Sequence, residues 1–215
     1  VNYNFKKIVE LLDLSEVLER YPLNLSGGEK QRVAIGRALL TFPKLVLMDE
    51  PLASLDSDRK SEIIKYIKRL KDDLNISIVY VSHNLNEVTS IADMLVVLEN
   101  GSSIASGTIE DIMCRLNVPL VNEGQYTGSI LDTELVAHDI KFSLSKLFIK
   151  GVTIWVPKVD LSIGAKLRVQ ILASDISLSL NFPEKSSVLN IFKAHIMKFS
   201  KGSGPYTEIL LDIGV

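Results

Sequence analysis

Apolar residues recur at helical spacing early in the chain, at Phe5, Ile8, Val9, Leu11 and Leu12, with charged residues between them, and the run ends near Tyr21-Pro22. The spacing predicts a helix over 3–19. A second helix is expected to start at Ser26, because Glu29 stands at capping-box spacing and good helix formers follow to Leu40, before Pro43. Leu45, Val46, Leu47 and Met48 make an unbroken apolar stretch closed by Asp49-Glu50. Such a stretch suits a buried central parallel strand that delivers charge at its carboxyl end. Ile63, Ile64, Ile67 and Leu70 then mark one helical face, and the β-branched run 75–81 predicts a strand bringing His83 to the same edge as Asp49-Glu50. Leu85, Val88, Ile91 and Ala92 form the next helical face. The runs 94–98 and 103–105 flank Asn100-Gly101, a strong hairpin signal, and Thr108 with Asp111 caps a helix to Leu116. Strand and helix alternating through residue 93 predict the α/β class with an antiparallel pair at the edge.

From 117 to 128 the periodicity is lost and Pro119, Gly124 and Gly128 appear, so a linker is expected between a first domain, 1–116, and a second, 129–215. Beyond it the β-prone runs 143–148, 152–156, 166–172, 176–180, 194–199 and 207–212 are separated by Gly, Pro, Ser or Asp. Regular short strands predict a small all-β barrel. Ser129-Ile130-Leu131-Asp132 is echoed by Ser187-Val188-Leu189-Asn190, and an Ala-His pair follows each, Ala137-His138 and Ala194-His195. Taken as an internal repeat, this leaves the second copy truncated.

Composition changes this picture little. At 47% hydrophobic and 23% charged the chain is an ordinary globular protein, and its 215 residues suit two units. The net charge of −2, with Lys and Arg scattered, gives no nucleic-acid-binding face. The single Cys114 has no partner for an internal disulfide, which fits a reducing compartment, and His138 and His195 are lone histidines on strand patterns, expected to pack rather than ligate. No apolar run reaches the roughly 18 residues of a membrane span, and no signal peptide opens the chain, so membrane association is expected through partners.

The candidate chemistry lies in the first half. Gly27 and Gly28 are poor helix formers, yet in the first turn after Ser26 they leave backbone N–H groups bare and let an anion approach the positive end of the helix dipole. That is a phosphate site. A carboxylate at Asp49 would hold Mg²⁺ through water, and Glu50 would polarise the water that attacks a γ-phosphate.

Ser26-Gly27-Gly28-Glu29-Lys30-Gln31 resembles the signature motif of ABC-transporter ATPases, Asp49-Glu50 their Walker B acid and catalytic glutamate, Ser54-Leu55-Asp56 their D-loop, and Val81-Ser82-His83 their switch histidine. The resemblance implies a head-to-tail homodimer with two ATP molecules between the subunits. In it Ser26, Gly27, Gly28, Glu29 and Gln31 belong to the ATP site, Ser54 and Asp56 to the D-loop, and Glu50 and His83 to the catalytic centre. Nowhere in the 215 residues does G-x-x-x-x-G-K-[ST] occur, and no glutamine loop precedes the signature. The family places both ahead of residue 1, so the chain is expected to be a fragment that does not hydrolyse ATP by itself.

The tail is similar to the paired TOBE or Mop-type barrels on the ATPase subunits of bacterial molybdate importers, through 164–178 and Ser187-Val188-Leu189-Asn190. This implies oxyanion contacts, for molybdate or tungstate, from Ser187 and Asn190. Leu189 stands where the family usually has Arg, with Lys193 as a substitute charge. The implied setting is the cytoplasmic face of the bacterial inner membrane, with two transmembrane permease subunits and, indirectly, a periplasmic oxyanion-binding protein. The alternatives are an importer ATPase for sulfate, a sugar, a polyamine or iron, and a non-catalytic oxyanion-binding or regulatory module.

Overall fold

A computed structural model describes residues 4–53, 55–116, 118, 128–201 and 207–214. The chain divides into two compact units, Val1–Ala92 and Asp93–Val215. The division falls ahead of the linker expected at 117–128, most of which lies outside the described residues. The predicted edge hairpin and the helix after it go with the second unit.

The first unit is α/β. Its elements are α1 (Phe5–Leu11), α2 (Gly27–Leu39), β1 (Leu45–Asp49), α3 (Ser57–Leu74), β2 (Ser77–Val81) and α4 (Leu85–Ile91). The helix expected over 3–19 stops at Leu11. Asp13 adopts the left-handed conformation, and the Leu14 N–H reaches back to the Val9 carbonyl at 2.9 Å while the Asp13 N–H bonds the Glu10 carbonyl. This is a Schellman cap with Asp where Gly is usual, after which Ser15–Val17 and Pro22–Asn24 form only single 3-10 turns.

β1 and β2 run parallel in register, Leu45 opposite Ser77 through Asp49 opposite Val81, so both carboxyl ends lie at one edge as expected. The expectation of a fully buried β1 does not hold. Val46 and Met48 join a core with Ile63, Ile67 and Leu70 of α3 and Ile8 and Leu12 from α1 and its cap, whereas Leu45 and Leu47, with Val79 and Val81 beside them, are exposed. Side chains alternate across a strand, and helices of this unit cover one face only.

The second unit opens with β3 (Met94–Glu99) and β4 (Ser102–Thr108), joined through Asn100 and Gly101, both at positive φ as a type I′ turn requires. α5 (Ile109–Met113) is capped by the Thr108 hydroxyl and ends before the expected Leu116. A four-stranded antiparallel sheet follows in the order β7-β6-β5-β8, made of β5 (Gly128–Asp139), β6 (Leu144–Ile149), β7 (Val152–Pro157) and β8 (Lys166–Leu172). β5 changes partners along its length: Gly128 to Glu134 pair with β8, Glu134 to Asp139 with β6, with a bulge between Leu135 and Ala137. Such a long bent strand shared by two neighbours is consistent with a TOBE-like fold. β9 (His195–Lys201) and β10 (Thr207–Asp212) form a separate ribbon. The strand expected over 176–180 is absent. Ala173–Asp175 form a 3-10 turn, and Ile176, Leu178 and Leu180 alternate as a strand would but have no ladder to join among the described residues.

Candidate functional site

The N-terminus of α2 is built as its sequence spacing predicts. The Ser26 hydroxyl accepts the Glu29 N–H at 3.2 Å, and Glu29 Oε2 accepts the Ser26 N–H at 2.7 Å, closing a capping box. That N–H and the Ser26 side chain hold the Glu29 carboxyl below its ordinary range. Ser26 and Gly27 are exposed, Gly28 is buried and Gln31 half-buried. A Cβ at Gly27 would stand 3.3 Å from Leu55 Cδ2 and 3.9 Å from the Arg59 guanidinium. The turn after Ser26 therefore lies against Leu55 and the first turn of α3. Asp56 itself caps α3, accepting the Arg59 N–H at 3.0 Å and pairing with its guanidinium at 3.3 Å. Ser54 lies outside the described residues.

At the carboxyl ends of β1 and β2, Asp49, Glu50 and His83 come together as expected. Glu50 Oε1 accepts the His83 backbone N–H at 2.9 Å and meets His83 Nδ1 at 2.7 Å. The Glu50 backbone is left-handed, φ 43°, and its N–H bonds the Val81 carbonyl at 2.9 Å, so the carboxylate is aimed by a conformation uncommon for a non-glycine residue. The His83 ring bond, opposed by partial burial and helped by the His83 N–H, holds the Glu50 carboxyl below its usual value. Asp49 is exposed beside this pair. Among the described residues no group of three or more His, Cys, Asp or Glu forms a metal cage. One carboxylate nonetheless suits Mg²⁺, which keeps several waters and takes further oxygens from phosphates.

Behind His83 lies a cluster that the hydrophobic pattern does not reveal. Glu87, in the first turn of α4, is only 4% exposed, and accepts from Lys60 Nζ at 2.9 Å, the Tyr80 hydroxyl at 2.8 Å and the Ser82 hydroxyl at 3.0 Å. Burial penalises its charge, but these bonds and the Lys60 ammonium outweigh burial and hold the carboxyl below its ordinary 4.5. The same burial and the adjacent carboxylate push the Tyr80 phenol up. A folded-state value below the unfolded one means that the unfolded chain binds more protons between the two. The stability Glu87 contributes is complete above the ordinary value and lost as pH falls through the folded one. The gap in thermal midpoint between the native chain and Glu87→Gln is therefore expected to be widest near neutrality and to close below about pH 4.5; a gap constant from pH 7 to 3 refutes this.

The second-unit candidates are more dispersed. Asn190 Oδ1 accepts the Trp155 N–H at 2.7 Å and Nδ2 donates to the Trp155 carbonyl at 2.8 Å, so its amide pairs with edge strand β7 through one of its two N–H groups. Ser187 and Lys193 are exposed. His138 holds Ser145 and the Leu161 carbonyl, each at 3.0 Å, as a structural histidine does, and the Cys114 thiol stands 3.6 Å from the Ser129 hydroxyl.

The model of the ABC transporter family matches residues 2–53. The chain is 45% identical over 205 residues to a molybdenum import ATP-binding protein of Mesorhizobium japonicum, covering 95% of this chain and 55% of that protein. It is 43% identical over 212 residues to the corresponding protein of Escherichia coli K12, covering 98% and 59%. A solved nucleotide-free ATP-binding cassette from an ABC transporter superposes on 55% of this chain and 47% of its own, with a TM-score of 0.50 and 38% identity. The chain thus spans somewhat over half the length of the curated relatives it matches, and over nearly all of its own length it is homologous to bacterial molybdenum import ATP-binding proteins.

Proposed function

We propose that this chain is the signature-to-switch part of the ATP-binding subunit of a molybdate importer, with its substrate-linked β-rich unit attached. The observation that carries the catalytic reading is the double contact of His83 with Glu50, two residues brought from separate strand ends to one carboxylate oxygen beside Asp49. In a head-to-tail homodimer the exposed Ser26 and Gly27 turn would offer first-turn N–H groups to a nucleotide seated on the other subunit. Mg²⁺ held by Asp49 through water would neutralise charge on the transferred phosphate. His83 swinging to the γ-phosphate would release Glu50 Oε1 to orient the attacking water and remove the bonds that depress its basicity. Proton acceptance would then rise as the phosphate is engaged.

The molybdate assignment rests on the relatives, whose names specify molybdenum import and give sulfate, sugar, polyamine or iron no support. Ser187, the remaining Asn190 N–H and Lys193 are the proposed oxyanion contacts, and the proposed setting is the cytoplasmic side of the inner membrane beside two permease subunits. No helix of the described residues is long and apolar enough to cross a membrane. Calorimetric titration of the chain with molybdate, tungstate and sulfate is expected to show heat of binding for the first two only. Equal responses to all three would remove the substrate assignment.

A further inference from the structure

Glu87 is nearly buried, yet its three donors come from three places: Lys60 in α3, Tyr80 in β2 and Ser82 in the loop that follows. A charge taken so far out of water survives only when paired and hydrogen-bonded, so the site is specified rather than incidental. Its links lead in two directions. On one side Lys60 lies one turn into α3, and its backbone N–H bonds the carbonyl of Asp56 at 2.9 Å, so the ammonium moves with the D-loop cap. On the other side the Ser82 hydroxyl, while donating to Glu87, accepts the Asn84 N–H at 3.1 Å. Asn84 in turn caps α4 by accepting the N–H groups of Asn86 at 3.0 Å and Glu87 at 3.3 Å. His83 is the residue between those two clamped neighbours.

We infer that Glu87 is a positioning residue that ties the N-terminus of α3 to the Ser82–His83–Asn84 turn through Lys60 and Ser82, so that the D-loop helix sets where His83 stands against Glu50. The inference rests on the proposal that Glu50 and His83 face the reaction, but its geometric content is separate from that. A shift of α3 pulls on Lys60, Lys60 on Glu87, and Glu87 on the serine hydroxyl that shapes the turn. Charge-assisted bonds transmit such a shift better than an apolar contact, because breaking one leaves a buried charge without a partner.

Amide hydrogen exchange on the full chain, followed residue by residue, tests this. Lys60→Met keeps the aliphatic stem and removes the ammonium. Ser82→Ala cuts the opposite link. Each is expected to speed exchange at the His83 and Asn84 amides by about tenfold or more while the amides of Ile63 and Ile67 in α3 keep their rates. Lys60→Arg is expected to restore protection. Combining Lys60→Met with Ser82→Ala is expected to add little to either alone, since both sever one path. Overturning results are a uniform acceleration across the first unit, which marks Glu87 as general structural support, unchanged His83 exchange, or fully additive effects. Failure of the catalytic reading would appear instead, in a chimera carrying the P-loop part of a relative ahead of residue 1, as ATP turnover insensitive to Glu50 or His83, with the exchange pattern of the 215-residue chain intact.

Discussion

Glu50→Gln is expected to lower ATP turnover by about 10²–10⁴-fold in a chimera that carries the P-loop part of a relative ahead of residue 1, with nucleotide affinity nearly unchanged. Glutamine keeps the shape of the side chain and an oxygen that can accept the His83 N–H, so the turn is not expected to collapse. It loses the negative charge and the capacity to take a proton. The loss should therefore fall on the rate at saturating ATP rather than on binding, as expected of a group that acts in the transition state. The native geometry adds a second expectation. Glu50 is held by His83 in this state, so His83→Ala should also reduce turnover, through loss of phosphate contact, while freeing the carboxylate that Glu50→Gln abolishes. A Glu50→Gln chimera within tenfold of the native rate would show that another group orients the water. The unmodified 215-residue chain, with no G-x-x-x-x-G-K-[ST] of its own, is the baseline and is expected to show no magnesium-dependent hydrolysis.

What could be read in the residues beforehand, and what could not, divides along a physical line. Features specified by neighbours in sequence were legible: the Ser26–Glu29 box, the Asn100-Gly101 turn and a strand ending at Asp49 all form, although that strand is buried on one face only. Features specified by distant partners were not. β5 escaped notice because Ile130, Thr133 and Leu135 are its buried positions, and the step from 130 to 133 breaks the period of two. The ladder to β8 runs through this stretch without a register shift, so Ile130 lies on one face and Thr133 and Leu135 on the other, and no single alternation describes the strand. The run 176–180 misled in the opposite way, since it alternates well but no strand lies beside it among the described residues. The break after Leu11 was hidden because Leu14 and Val17 continue the helical periodicity beyond an Asp that takes the role of a terminating glycine. Glu87 was hidden for the same kind of reason as β5. A charged residue beside Val88 reads as a solvated position until Lys60, 27 residues earlier, is seen to reach it.

Ile67→Ala is expected to destabilise the first unit by about 2–5 kcal/mol and leave the second unit nearly unaffected. Ile67 has no exposed surface and sits among Ile63, Leu70, Val46 and Met48 in a cluster whose members all precede residue 92. The four-stranded sheet that starts at Gly128 has a separate small core around Leu135, Leu147 and Ile154. Trp155, the sole tryptophan, belongs to that second unit, so its fluorescence reports there, while far-UV ellipticity is weighted toward α2 and α3. For a unit of this size each kcal/mol moves the midpoint by roughly 4–8 °C, so the helical transition should fall by about 10 °C or more while the tryptophan transition holds. Leu47→Ala removes the same class of side chain from the same unit, but from the uncovered face of β1, where Leu47 is 72% exposed. Its expected cost is within about 0.5 kcal/mol, because little apolar area returns to water. A Leu47→Ala chain as unstable as Ile67→Ala would show that this face is covered in solution, and a tryptophan transition that falls with the helical one would show that the two cores unfold as one.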